Sequence, residues 1–408
     1  MKFIESGNIC TPRYFAASAV SCGLKKNQKK DLCILYSEKP AIAAAAFTSN
    51  KFSAAPVELC KEKLKKTDCF RAIVINSGNA NACTGKEGIK NARETSVYAA
   101  KALSVKSAEV LVCSTGRIGV QLPMQKIKKG IDIIAKNLSA KNASDAAEAI
   151  MTTDLVKKEA AIVFKTFDGK EIFIGSMTKG SGMISPKMQT FPHATMLSFI
   201  SCDALVEKNF LRKVFDECIQ STFNKITVDN DMSTNDTVIM FCNGAATNKL
   251  INENSPDAAN FAEALRLLME KMAKSIVLDG EGVTKFVTVI VENAANREDA
   301  EKCARAIANS MLCKTAWFGG DPNWGRILAA AGYSGAEFSP EKVDLLYNDK
   351  FVIKKGKPEE IPEKELAEEV AKKEFVIKIR LGAGKKNCTI WTSDLSYDYV
   401  KINADYRT

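Results

Sequence analysis

The chain has 408 residues, 46% hydrophobic and 26% charged, which is enough for a sizeable core and unlike the composition of disordered chains. Its net charge of +10 is spread over many lysines. The one dense run, Lys25-Lys26-Asn27-Gln28-Lys29-Lys30, lacks the aromatic neighbours of a nucleic-acid site and reads as a solvated loop.

Short apolar runs at 32–36 and 72–75, bounded by turn residues, predict buried strands. Ile89, Ala92, Val97, Ala100 and Leu103 recur at helical spacing, so a helix is expected from Asn91 to about Leu103, with a strand at 110–113 after it. Helices follow at 124–138 and 142–151, the second opened by Asn142 as N-cap. Strands at 160–164 and 171–175 flank the turn dipeptide Asp168-Gly169. A strand at 196–204, a helix at 207–224 and a strand at 236–242 come next, then helices at 256–275 and 297–311. In the tail, 350–354, 375–381 and 388–392 alternate like half-buried strands, and the Lys-, Glu- and Pro-rich stretch 355–374 reads as an exposed loop and helix. Strands and helices mixed in this order predict an α/β sandwich with mixed sheets.

Thirteen cysteines without a Cys-x-x-Cys pair, and one histidine (His193), argue against a disulfide framework and a Cys/His zinc site. Scattered thiols fit a reducing compartment. The N-terminus, Met1-Lys2-Phe3-Ile4-Glu5-Ser6-Gly7, lacks the apolar core of a signal peptide, and no segment approaches about 20 apolar residues. The expectation is a cytoplasmic protein with neither membrane nor nucleic acid as partner.

The chemistry concentrates around Lys179-Gly180-Ser181-Gly182-Met183-Ile184 and Ala194-Thr195-Met196-Leu197-Ser198-Phe199. A threonine hydroxyl needs a base to become a nucleophile. Cleavage between Ala194 and Thr195 would supply one, because the new α-amine, titrating at about 7.7–8.0, lies within reach of its own hydroxyl. No histidine is then required. By itself Thr195 would read as a core residue opening a strand.

Other motifs change that. Ala72-Ile73-Val74-Ile75-Asn76-Ser77-Gly78-Asn79-Ala80-Asn81-Ala82-Cys83-Thr84-Gly85, Ser114-Thr115-Gly116, Met151-Thr152-Thr153-Asp154, Asp279-Gly280-Glu281-Gly282-Val283-Thr284-Lys285-Phe286, Gly320-Asp321-Pro322-Asn323-Trp324-Gly325-Arg326-Ile327 and Asn403-Ala404-Asp405-Tyr406-Arg407-Thr408 stand in one order. Together they resemble the ornithine acetyltransferase (glutamate N-acetyltransferase) family of the arginine pathway over nearly the full length.

The resemblance implies layered mixed β-sheets flanked by helices, superficially similar to N-terminal-nucleophile hydrolases. It implies self-cleavage into an α chain (1–194) and a β chain (195–408) that stay associated, as α2β2. Thr195 is then the nucleophile, Thr115 and Gly116 the oxyanion hole, and Thr152 or Thr153, Lys179, Glu281, Asn403 and Thr408 the substrate contacts. The implied reaction moves an acetyl group from N-acetylornithine to glutamate without a cofactor. Some relatives also accept acetyl-CoA as co-substrate, which the residues leave open. One departure stands out. Relatives have Pro-x-Met-Ala-Thr-Met-Leu, whereas here Gln189-Thr190-Phe191-Pro192-His193 separates Met188 from Ala194, a five-residue insertion that makes Thr190 a second candidate.

Two local patterns are set aside. Asp229-Asn230-Asp231-Met232-Ser233 begins like a calcium loop, but Thr234 and Met240 stand where glycine and glutamate are required. Asp321-Pro322-Asn323-Trp324-Gly325 is assigned to structure. The rival functions are an autoprocessed amidase or aminopeptidase of related fold, which would release the acyl group to water, and a basic binding protein without activity.

Overall fold

The computed structural model describes residues 1–26, 28–186 and 196–405. Ala194, Thr195, the insertion 189–193 with Thr190 and His193, and Thr408 lie outside the described residues. Two compact units are formed: one from residues 1–224 and 232–276, the other from 225–231 and 277 onward.

The first unit is built on nine strands: β1 (Lys2–Phe3), β2 (Phe15–Val20), β3 (Leu32–Phe47), β4 (Phe70–Asn76), β5 (Val110–Ser114), β6 (Lys158–Lys165), β7 (Glu171–Lys179), β8 (Leu197–Cys202) and β9 (Thr237–Cys242). Their order is β1-β6-β7-β8-β9-β3-β4-β5, with β2 also on β3. β8–β9 and β4–β5 are parallel and the other pairs antiparallel, so the sheet is mixed. β3 runs well past the expected 32–36. Its first half pairs with β2 and β4, and Ile42–Phe47 pairs with β9. The register shifts between Tyr36 and Ala41, a span that contains Pro40, which has no N–H to give a ladder. The continuation is alanine-rich, so it carries little strand propensity of its own.

Period-two alternation sends side chains to both faces. Leu32, Ile34, Ala72, Val74, Val110 and Val112 pack against α2 (Gly85–Ala102) and α3 (Met124–Lys136), which follow α1 (Ala55–Lys66) in the chain. Cys33, Leu35, Ile73 and Ile75 join Phe199, Ile239 and α4 (Ala143–Ile150) in a second buried cluster. The expected sandwich is present. α2 starts six residues before the predicted Asn91. Asn142 precedes α4 as expected, yet its side chain donates to Asn137 O and caps nothing. α5 (Lys208–Ser221) and most of α6 (Ala258–Leu278) complete this unit.

The second unit has six strands, β10 (Phe286–Ala294), β11 (Asp344–Tyr347), β12 (Lys350–Lys354), β13 (Lys357–Pro358), β14 (Glu374–Arg380) and β15 (Lys386–Ser393), ordered β13-β12-β11-β14-β10-β15. Only β10–β14 is parallel, so this sheet is mixed too. Val287, Val289 and Val291 of β10 form a plain period-two run that is missing from the expected elements, as is α1. The helix expected at 297–311 is two: α7 (Arg297–Asn309) and α8 (Met311–Gly319). They part at Ser310, whose side chain accepts from Cys313 N and caps α8. α9 (Trp324–Gly332), α10 (Glu363–Ala371) and α11 (Tyr397–Asp405) follow. The Asp321-Pro322-Asn323-Trp324-Gly325 stretch has the structural role assigned to it: Gly320 ends α8 at φ +73°, and the Asn323 side chain accepts from Arg326 N to open α9. No helix among the described residues is long and apolar enough to cross a membrane.

Candidate active site

Lys179 closes β7 with its side chain almost wholly buried. Its ammonium donates to Thr152 Oγ1 at 2.7 Å and lies 3.9 Å from Asp154 Oδ2. Asp154 organises the loop after α4. It accepts from Thr152 N at 2.9 Å, from Gly180 N at 2.7 Å and from the buried Lys158 ammonium at 2.7 Å. Burial alone would raise its carboxyl pKa, but Lys179 and Lys158 outweigh that and hold it well below the usual carboxylate range. Of the threonine pair, Thr152 is the one that meets Lys179.

The second group is the loop after β5. Thr115 N donates to Asn76 O at 3.0 Å. Gly116 has φ +122°, and a Cβ there would fall 2.6 Å from Gly78 C. Only glycine fits between the two loops. Asparagine amides fix the surroundings: Asn76 Nδ2 donates to Asn79 O at 2.8 Å, and Asn235 Nδ2 donates to Ala80 O at 2.6 Å and Ser114 O at 2.8 Å. The long Asn-rich motif thus builds the framework under Thr115.

These groups converge on one end of β8. Leu197 pairs with Lys179 on one side and with Thr237 on the other. Thr237 N also donates to Met196 O at 2.6 Å, two residues beyond the Asn235 that holds Ser114. Met196, the chain neighbour of Thr195, is fully buried there.

In the second unit, Glu281 and Asn403 meet: Asn403 Nδ2 donates to Glu281 Oε2 at 2.8 Å and to Tyr399 O at 3.0 Å. Ser396 Oγ, just before α11, donates to Gly282 O at 2.6 Å. Glu281 is buried under α11. Among the described residues no group of three or more His, Cys, Asp or Glu side chains could hold a metal.

The model of the ArgJ family matches residues 16–408. The chain belongs to the ArgJ family. The arginine biosynthesis bifunctional protein ArgJ of Caldanaerobacter subterraneus is 49% identical over 99% of this chain and 100% of its own length. The ArgJ of Geobacter sulfurreducens is 47% identical over 97% of this chain and 99% of its own. A crystal chain of the Bacillus halodurans ArgJ superposes with a TM-score of 0.51 at 41% identity, matched over all of its length by 52% of this one.

Within this ArgJ site one reading of the sequence needs correcting. Lys25 is not a solvated loop residue. Its ammonium donates to Lys30 O at 2.8 Å and Ala149 O at 3.4 Å. The loop curls because the fully buried Asp31 accepts from Cys22 N, Leu24 N and Lys25 N at 2.6–3.0 Å. Lys158 and Asp31 were not singled out either. The signal for Lys158 is its spacing, four residues after Asp154 in a stretch that becomes strand.

Proposed function

We propose that the protein is an ornithine acetyltransferase of arginine biosynthesis, self-cleaved between Ala194 and Thr195, that works through an acetyl-threonine intermediate. The observation that carries this reading is the 49% identity, over essentially the whole of both chains, to a bifunctional ArgJ.

Thr195 Oγ attacks the acetyl carbonyl of N-acetylornithine while the Thr195 α-amine takes the hydroxyl proton. Negative charge on the carbonyl oxygen is met by the Thr115 hydroxyl and Gly116 N–H, where one such donor is worth about 3 kcal/mol. The C–N bond then breaks, the proton passes to the leaving amine, and ornithine departs. The neutral α-amine of glutamate attacks the acetyl ester, its proton passes by way of the Thr195 α-amine to Thr195 Oγ as the C–O bond breaks, and N-acetylglutamate leaves Thr195 free. Ping-pong kinetics follow. Lys179, held by Thr152, takes the α-carboxylate of either amino acid; Glu281, Asn403 and Thr408 are its remaining contacts. The second half of the bifunctional reading is acetylation of glutamate from acetyl-CoA.

The strand order supports a break that does not release the pieces. β8 and β9 follow position 195 but lie between β7 and β3, which precede it. After cleavage the two chains would still share ladders on both sides, so separating them would mean tearing a buried sheet apart. The Bacillus halodurans crystal chain, corresponding to only 52% of this one, is the size expected of a protein cut near its middle. Assembly as α2β2 and a cytoplasmic location complete the reading.

Denaturing electrophoresis with N-terminal sequencing tests it, together with product analysis. A fragment beginning Thr195-Met196-Leu197 is expected, and acetylglutamate should form from N-acetylornithine only when glutamate is present. A single full-length band, or acetate released to water at the same rate without glutamate, would overturn the proposal.

A further inference from the structure

We propose that the loops around the Thr115-Gly116 segment form the docking surface for the phosphate-bearing part of acetyl-CoA, with Arg117 and Lys86 as its principal cations; this rests on the bifunctional acetyl-transfer reading above.

The surface follows from the strand order. β4 and β5 are parallel, so the connections that leave them, 77–84 and 115–123, emerge at the same end, and α2 and α3 begin there. Ligands of α/β folds sit at that end of parallel strands. Neither helix has a side-chain cap at its N-terminus, and their dipoles add positive potential to it. The Asn-rich connection 77–84 is the hub. Ala80 N donates to Arg117 O, Gly119 N to Ala82 O and Gln121 Nε2 to Thr84 O, each at 2.9 Å. On a second side Ala55 N donates to Asn81 O at 3.1 Å, which brings up the connection 48–54. On a third, Gly78 lies so close to the 21–31 connection that a Cβ would be 3.2 Å from Leu24 C.

These connections present cations without carboxylates between them. Lys26, Lys51, Lys86 and Arg117 are exposed, and none makes an ion pair or hydrogen bond among the described residues. By contrast, Arg93 pairs with Glu62, and Arg266 with Glu263 and Glu270. Of the two acidic residues on the connections and the first turns of α2 and α3, Asp31 is fully buried beneath three backbone N–H groups and Glu87 pairs with Lys90 at 3.4 Å. The segment 187–195 contains no Asp or Glu. A field of one sign suits a ligand with several negative charges, and among the proposed substrates only acetyl-CoA carries phosphates. Arg117 follows Gly116 directly, and its backbone is fixed on Ala80 and Gly78. A thioester at Gly116 therefore has its phosphates outward, among these cations. Phe52, 70% exposed beside Lys51, gives the adenine ring a face to stack on, and Val120, 38% exposed, gives the pantetheine arm apolar surface.

The test uses three acetyl donors: acetyl-CoA, S-acetylpantetheine, which has the same thioester without phosphates, and N-acetylornithine. Acetyl-enzyme formation is followed by mass spectrometry under single-turnover conditions for the wild type, Arg117→Gln, Lys86→Gln and the double variant. With acetyl-CoA each single variant should be slowed about 3- to 5-fold and the double variant about 10-fold or more. The wild type's advantage with acetyl-CoA over S-acetylpantetheine should shrink as salt is raised. The two donors without phosphates should react at the wild-type rate in every variant, which also shows that the variants fold. Equal slowing with all three donors would make the cations part of the loop framework, and no slowing with acetyl-CoA would leave the surface without this ligand; either result overturns the proposal. A wild type acetylated by N-acetylornithine but not by acetyl-CoA overturns it while the transfer from N-acetylornithine stands. No acetyl-enzyme from any donor sinks both.

Discussion

Lys179 and Leu197 are register partners across the antiparallel β7–β8 ladder, and from that position the Lys179 ammonium reaches Thr152 Oγ1 at 2.7 Å. The strand that follows the proposed cleavage point is thus zipped to the strand carrying Lys179, the proposed carboxylate contact. Thr152→Val keeps the shape of the side chain and removes the acceptor. Lys179 is then less well aimed, and KM for both amino-acid substrates should rise about 10-fold, the worth of a hydrogen bond to a charged group. Thr153→Val, which removes no contact to Lys179, is the matched control and should leave KM unchanged. Steady-state kinetics on the pair decides the matter, and equal effects would remove Thr152 from the site.

Thr115→Ala takes away a donor whose proposed target exists only in the transition state. Its kcat should fall about 10²- to 10³-fold while KM changes little. Gly116→Ala acts differently, through the backbone. A Cβ 2.6 Å from Gly78 C at φ +122° cannot be accommodated without moving a loop, so a stability loss of about 1–3 kcal/mol is expected beside the activity loss. Gly119→Ala, also at positive φ (+80°) but into open space, should cost only about 1 kcal/mol. Urea titrations of the two variants should separate clash from strain.

Much of this framework could be read from residue order. The buried strands at 72–75 and 110–113 declare themselves because their residues are apolar on both faces, and the hairpin at Asp168-Gly169 because Gly169 takes φ +82°. The candidate site residues come from the motifs, but the contacts each one makes are not visible in them. Lys179 and Thr152 meet only because β7 ends beside the loop after α4. Lys25 lay hidden in a lysine run, since nothing local shows that Asp31 curls the chain and turns one of those lysines inward. Glu281 lies between two glycines, and it is α11, more than 100 residues later, that covers it. Burial and charge balance are properties of the tertiary structure, and sequence spacing does not carry them.

Asp154 is the test of that balance. Its carboxylate faces the Lys158 and Lys179 ammonium groups in a site closed to water, and removing one partner of a buried pair typically costs about 3–5 kcal/mol. Asp154→Asn should lose that much at pH 7. The sign of the pH dependence follows from the lowered carboxyl pKa. The contribution is complete above the unfolded carboxyl's pKa of about 3.9 and is lost as pH falls from there toward the folded value. Denaturant titrations should therefore show a constant gap between wild type and variant from pH 5 to 7, narrowing below pH 4. A gap that closes at neutral pH would mean Lys158 and Lys179 find other partners.

Lys314 gives the opposite window. It is fully buried, donating to Thr392 Oγ1 at 3.0 Å, to Ser393 Oγ at 3.3 Å and to Ser393 O. Burial pushes its pKa down to about 7, although Asp394 and Asp229 pull it upward. In the unfolded chain a lysine titrates near 10.4, so between about pH 7 and 10 the unfolded state binds the extra proton and stability rises with pH. The contribution is complete above the unfolded value and is lost as pH falls through about 7. Trp317, Trp324 and Trp391, the only tryptophans in the chain, all lie in the same unit as Lys314, so their fluorescence reports its unfolding. Guanidinium titrations at pH 7 and pH 9.5 should show the wild type gaining on the order of 2 kcal/mol from this group. Lys314→Met, with a similar unbranched side chain and nothing to titrate, should lose that gain and be the more nearly equal of the two proteins across the range. An identical slope in both would mean that the ammonium stays charged inside its cage of Thr392 and Ser393 oxygens.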